Sequence, residues 1–471
     1  MKEIDNETFI EVYNQFSVSL LKNAYKKNDN EIISPLSLYN ALAVLGNGAA
    51  GKTRKQIEEV LGLKIEEINR YMYDMEMNRS EWDAAPYFKI NALWFNTAYG
   101  LELKEDFKKN VNYYYENGIE EYDFKDGSGL ANKANNWAAD NTENTIDHVI
   151  DAEDVDSNTA FLIMNALVTG DKWMFQFDPN DTRSEVFHTY KGEEKLVDMM
   201  HQTFYGYWHD DKSQGFAKVL ENDTHFIGIL PNEGIDVYDF IKQLDYDTIL
   251  NYVYKNVTYT KNYREGGDWG CKYDEYYTNL SFPKFIYEKE YDLNQVMADM
   301  GLADLFDYRN CDFSAMAQGD QKLIDAMQVD AISQKANIEV NEQEAKAAAV
   351  SVVRGGYGAG GCEVDKEYYM DVVFDRPFIF AFFDGELPLF IGVVSDIGVK
   401  AENITKLQNI IGVINIRKGP GTSYEKVSKS NKGDILFAFE KRENEGYTWY
   451  RIGEDQWIAD DNGKWLKIIS E

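Results

Sequence analysis

Apolar positions change period several times along this chain, and each change marks an element. In residues 7–26, ETFIEVYNQFSVSLLKNAYK, Phe9, Val12, Phe16 and Leu20 recur at helical spacing, which predicts a first helix. Residues 28–62 begin with a short apolar run and then meet Ser34-Pro35-Leu36-Ser37. A serine hydroxyl accepts the free amides of a helix start, and proline at the first helical position gives up only an amide that has no partner there. A short strand leading into a buried helix is expected. Strand then helix follow over 91–115, and strand, turn and helix over 226–244. Residues 413–469 alternate in short stretches broken by Gly419-Pro420-Gly421 and Lys432-Gly433-Asp434, which predicts a small β-barrel.

One stretch fits neither period. Residues 338–361 read IEVNEQEAKAAAVSVVRGGYGAGG. Extended, one face carries only Ala345, Ala347, Ala349 and Ser351, while the other carries Lys346, Ala348, Val350 and Val352. A strand with so small a face can enter a crowded sheet without clashing. Yet Glu, Lys and Ala favour helix over strand, and this conflict is what a two-state segment shows. Gly356, Gly358 and Gly361 match G-x-G-x-x-G, but no amphipathic helix follows them, so a dinucleotide loop is not supported.

Composition narrows the function. The 471 residues carry a formal net charge of −33, spread along the chain, which disfavours nucleic acid and anionic membranes as partners. No apolar run reaches the length of a membrane span. Three cysteines, Cys271, Cys311 and Cys362, show no metal or paired spacing and are read as free thiols. No H-E-x-x-H or G-x-S-x-G occurs, so neither a hydrolase nor a metal or cofactor site is expected. The N-terminus has no signal-peptide core, which fits a cytoplasmic protein or one whose leader has been removed.

VNEQEAKAAAVSV (340–352) resembles the reactive-loop hinge of inhibitory serpins. VVFDRPFIFAF (372–382) and LPLFIGVV (387–394) are similar to the strand after that loop and to the family's last buried strand. The resemblance extends in order from about residue 7 to 397. It includes residues 122–146, similar to a helix over the sheet, and 161–182, similar to the long central strand. Residues 413–424 resemble the opening of a bacterial SH3 domain.

The resemblance implies an α+β serpin fold with three sheets, about nine helices and an exposed reactive loop in residues 1–399. A linker (400–407) and a small all-β SH3-like barrel (408–471) would follow. It implies a hinge at Glu342, Glu344, Ala345, Ala347, Ala348 and Ala349, and a sheet-opening region at Asn30, Ser34, Ser37, Asn165, Trp173 and Gln334. The reactive bond would be Gly358–Ala359, or Tyr357–Gly358, with residues beyond it forming a slack connection to Arg376. Gln334 replaces a usual histidine and is expected to bridge Asn165 and Ser37 without titrating near neutrality. Tyr424, Tyr447 and Trp449 would line a groove for cell-wall peptide or glycan. The implied activity is suicide inhibition of an elastase-like or chymotrypsin-like serine protease by a cofactor-free monomer, outside the cell or on its surface. Two alternatives stay open: a non-inhibitory member, for which Glu344 in place of glycine argues, and a surface-binding protein that works through the SH3-like part.

Overall fold

The computed structural model describes residues 5–77, 87–115, 118–141, 148–153, 155–169, 171–255, 257–266, 270–330, 332–345, 362–400, 405–438, 440–453 and 456–470. Helix α1 (Asn6–Ala24) is capped by Asp5 and buries Phe9, Tyr13, Phe16 and Leu20. Helix α2 (Pro35–Gly48) is capped by Ser34, whose hydroxyl accepts from Ser37 N, and is buried along almost its whole length. Such a helix must sit inside the molecule, and α2 runs beneath the central sheet.

That sheet starts as a three-stranded ribbon. β1 (Tyr87–Asn96) lies between β2 (Ile119–Tyr122), which is parallel to it, and β3 (Phe161–Thr169), which is antiparallel. The period of two explains its two covered faces. Phe161 and Ile163 of β3 line a cavity shared with α2. Leu162 and Met164 pack instead with Trp94 and Leu130, beneath the helix Gly127–Asn141. Trp137 of that helix meets Trp94 edge-on at 6.1 Å.

The chain continues through β4 (Asp171–Lys172) into a six-stranded sheet. Its main members are β5 (Glu194–Tyr205), β6 (Thr260–Gly266) and β7 (Gly270–Pro283). A two-stranded ribbon follows, β8 (Phe285–Asp292) with β9 (Ser333–Val340). Next comes the short β10 (Glu344–Ala345), and then β11 (Cys362–Val373), parallel to β7 from Cys271 to Ser281. The last pairing corrects the expected slack connection. Residues 362–373 are held to β7 along their length, because the exposed stretch Val364–Tyr369 can hydrogen-bond without burying an apolar face and Val372 anchors its end in the core. A seven-stranded sheet containing Phe378–Asp384 and Leu387–Val394 completes the core, and both strands are almost wholly buried, as their continuous apolar runs require. Ten α-helices are present among the described residues, against about nine expected; two are single turns, Asn294–Met297 and Gln321–Ile324.

Val399–Lys400, at the start of the expected linker, still pairs with β5, and Thr405–Asn409 already belongs to the C-terminal part. That part has eight strands in a five-stranded and a three-stranded sheet, not one continuous barrel among the described residues. Its core is Leu407, Ile414, Ile416, Tyr450, Ile452, Ile458 and Leu466.

Candidate functional site: a slot in the central sheet

The two ribbons stand side by side, yet among the described residues no backbone hydrogen bond joins β3 to β9. Among the described residues, the ties found between them are at the ends. At the base, Thr159 Oγ1 donates to Asp330 Oδ2 at 2.7 Å. At the mouth, Ala345 pairs with Asp171 and Glu344 with Lys172, and Trp173 N donates to Gln343 O at 3.0 Å. Between the ties lies a slot floored by α2, above a cavity of about 30 Å³ lined by Ser37, Leu42, Phe161, Ile163, Ile332 and Gln334. Each flanking strand thus offers an unpaired row of amides and carbonyls, which is the template a further strand needs.

The mouth is built from buried side chains. Trp173 is fully buried, donates Nε1 to Asn341 O at 2.8 Å, and meets Phe177 and Phe226 edge-on. The Glu342 carboxylate is buried as well, accepting from Thr182 Oγ1 at 2.8 Å and pairing with Lys284 Nζ at 3.1 Å. Asn341 folds its side chain onto the amides of Gln343 and Glu344, both at 2.9 Å, which fixes the turn into β10. Ala345 is fully buried, whereas Glu344 keeps partial access to water. The hinge therefore begins already paired as a strand, with its first small residue inside.

Lys218 and Lys284 were not among the expected site residues. Lys218 is buried under Trp173 and Phe177, with Nζ 5.3 Å and 4.5 Å from their ring centres. It donates to Phe175 O at 2.7 Å and to Gln202. Burial pushes its pKa down to about 7. The sequence carries a sign of it: in SQGFAKVL, Phe216 and Leu220 mark one strand face, and Lys218 stands between them where an apolar residue belongs.

The expected sheet-opening residues divide. Gln334 is buried and holds the Ser34 backbone from both sides, accepting from Ser34 N at 2.7 Å and donating to Ser34 O at 3.1 Å. The expected Gln334 bridge to Ser37 is thus a bond to the residue three places earlier, which the helix start presents with free backbone groups. Ser34 Oγ donates to Leu389 O at 2.9 Å, and Ser37 lines the cavity. Asn165 lies on β3 opposite Asn91, and its side chain is outside the described residues. Asn30 stands away from the slot: its amide accepts from Ser395 N and Asp396 N and donates to Asp396 O, all within 2.8 Å. Ala347, Ala348, Ala349, Tyr357, Gly358 and Ala359 also lie outside the described residues. Cys311 is a free, half-buried thiol whose pKa burial raises to about 11.

In the C-terminal part, Tyr447, Trp449 and Trp465 surround a pocket of about 220 Å³ that also takes in Arg417 and Asn415. The Tyr447 and Trp465 rings are 5.3 Å apart. Tyr424 does not line this pocket; it is half exposed and its ring covers Gly419.

The family model for serpins, serine protease inhibitors, matches residues 11–397. An uncharacterized serpin-like protein of Thermococcus kodakarensis is 28% identical over 394 residues, covering 82% of this chain and 84% of its own length. Serpin B6 of Pongo abelii is 28% identical over 356 residues, 73% of this chain and 89% of that one. Among solved structures, the thermophilic serpin tengpin in its native state superposes with a TM-score of 0.70 at 28% identity, over 84% of this chain and 96% of that one. The same protein in its latent state gives 0.65 at 25% identity, over 85% of this chain and all of that one. By the match to nearly four hundred of its residues, the chain belongs to the serpin family.

Proposed function

We propose that this protein is a suicide-substrate inhibitor of serine proteases and that the slot between β3 and β9 receives its cleaved loop. The observation that carries this reading is the hinge: Glu344 and Ala345 are already paired to β4 at the mouth, with Ala345 buried. A protease serine attacks a carbonyl in residues 346–361 and forms an acyl-enzyme. Cleavage frees the segment after Ala345, which adds to the sheet with the attached enzyme in tow. A ten-residue strand gains roughly 10 kcal/mol at ~1 kcal/mol net per backbone hydrogen bond, enough to distort the enzyme before water releases it.

Counting sixteen residues from Glu342 places the reactive bond at Gly358–Ala359, with Tyr357–Gly358 as the shifted alternative. Small residues there suit an elastase-like pocket first and a chymotrypsin-like one second. Cutting at Arg354 would leave a tether shorter by about 13 Å of extended strand, so trypsin-like enzymes should cleave and escape. The protein would act as an extracellular or surface-bound monomer. The aromatic pocket around Tyr447, Trp449 and Trp465 favours a second role, retention on cell-wall peptide or glycan.

A denaturing gel tests the main reading. Incubation with elastase or chymotrypsin should give a band of the two chains joined, stable to denaturant. Mass spectrometry of the released C-terminal fragment should find it starting at Ala359 or Gly358. Cleaved chain with fully active protease would favour the non-inhibitory alternative.

A further inference from the structure

β11 is held unevenly. At its far end Val372 and the following Phe374 are fully buried, whereas every residue from Val364 to Tyr369 is exposed, so backbone hydrogen bonds to β7 carry that half. The first residue of β11, Cys362, stands in parallel register with Cys271, the second residue of β7. The two lie some ninety residues apart in the chain, which is why their spacing gives no sign of a pair. Register partners share one face of a sheet, and neighbouring strands run about 4.8 Å apart. A disulfide spans Cα separations of roughly 4.4–6.8 Å, so this backbone spacing suits one. Farther along the same ladder, partners at matching positions do meet. The rings of Tyr276 and Tyr368 stack at 5.1 Å, as do those of Tyr277 and Tyr369, and Asn279 donates to Asp371 at 2.9 Å. Lys272 and Val364, one and two residues beyond the cysteines, are exposed, so this end of the ladder is open to solvent.

We propose that Cys271 and Cys362 form a disulfide that clasps the start of β11 to β7, closed in oxidising surroundings and opened by thiols. The reading of these two residues as free thiols is then replaced, and the proposal stands whether or not the protein is an inhibitor. The bond forms by exchange with a small-molecule disulfide. One cysteine, as its thiolate, attacks that disulfide and expels one small thiol; the other attacks the mixed disulfide and expels the second. Two electrons pass from the cysteine pair to the small disulfide, and the two cysteine protons end on the released thiols. Cys311 stays outside this chemistry: its thiol donates to Met327 O at 3.1 Å, and burial raises its pKa to about 11, which keeps it a poor nucleophile. The clasp sits where the strand needs one. Val372 anchors one end of β11 in the core, and the cysteine pair fastens the end that has no buried apolar residue from Val364 to Tyr369. Closed, it fixes the strand that leaves residues 346–361; open, the exposed half of β11 is free to fray from β7.

The test uses the full chain, equilibrated with oxidised glutathione or fully reduced, and then counts thiols in denaturant. The reduced chain should show all three, and the oxidised chain one, which peptide mapping without reductant should assign to Cys311 while recovering a peptide pair joined through Cys271 and Cys362. Three thiols after oxidation, glutathione left on either cysteine, or a bond to a second chain would overturn the proposal. Amide exchange over residues 363–369 should quicken about tenfold when the native chain is reduced, since the end of the strand is then released. The closed loop of some ninety residues should also raise Tm by roughly 5 °C over the reduced chain. Cys271→Ser/Cys362→Ser should match the reduced wild type in both measurements and ignore oxidised glutathione. A bond that forms but leaves exchange over 363–369 equal in oxidised and reduced wild type would overturn the clasp.

Discussion

Lys218 illustrates how one side chain at the mouth sets a pH response. In the unfolded chain a lysine holds its proton to about pH 10; buried beneath Trp173, it releases it near 7. Between these values the unfolded chain binds more protons, so stability should rise as pH increases from about 7 towards 10. Melting curves of wild type should show that rise, and Lys218→Met should lose most of it; an unchanged slope in the variant would place the titration elsewhere. Gln334 offers no such response, as its amide stays neutral while it grips the Ser34 backbone. At this scale the sequence is only partly legible. Trp173, Ser34 and Glu342 can be picked out by resemblance, but their partners Lys284 and Thr182 lie about 58 residues before the hinge and 160 before Glu342 respectively, and nothing local announces such pairings.

At the level of elements, the hinge should enter the slot with Ala345, Ala347, Ala349 and Ser351 on one face, since Ala345 is already buried in register with Asp171. A long cation cannot be buried there unpaired. Ala347→Arg should therefore fold normally and be cleaved as a substrate, and a gel showing covalent complex at the wild-type ratio would mean that the register is wrong. The alternation of tiny side chains makes this strand readable from the amino-acid sequence alone. β11 is not readable in that way. Residues 364–369, VDKEYY, are exposed on both faces, so no apolar period marks them, and the partner β7 lies some ninety residues earlier. The slot itself is also invisible in the sequence, because a missing hydrogen-bond ladder leaves no mark in a strand whose two faces are both covered.

On the scale of the whole molecule, the polar linker predicts two independent parts, yet the C-terminal part rests against the mouth. Gln456 Nε2 donates to Thr182 O at 3.2 Å, and Thr182 in turn holds Glu342. A cavity of about 520 Å³ lies between the two surfaces, lined by Asn180, Arg183 and Glu185 on one side and by Ser428, Phe437 and Ile452 on the other. Deleting residues 405–471 should leave inhibition in place but release one such bond, worth ~1 kcal/mol. Amide exchange across Asn341–Ala345 should then quicken up to about fivefold; unchanged exchange would show that the parts are independent after all.

The claim that the slot accepts the loop as a strand is tested most directly by heating the chain before and after its loop is cut. Trypsin cleaving at Arg354 should leave the segment from Lys346 to Arg354 free to insert. A gain of order 10 kcal/mol, spread over some four hundred residues, corresponds to a rise in Tm of roughly 10 °C or more. Such a rise, with the two fragments still associated, is the expected result. A cleaved protein that melts at or below the temperature of the intact one would contradict insertion.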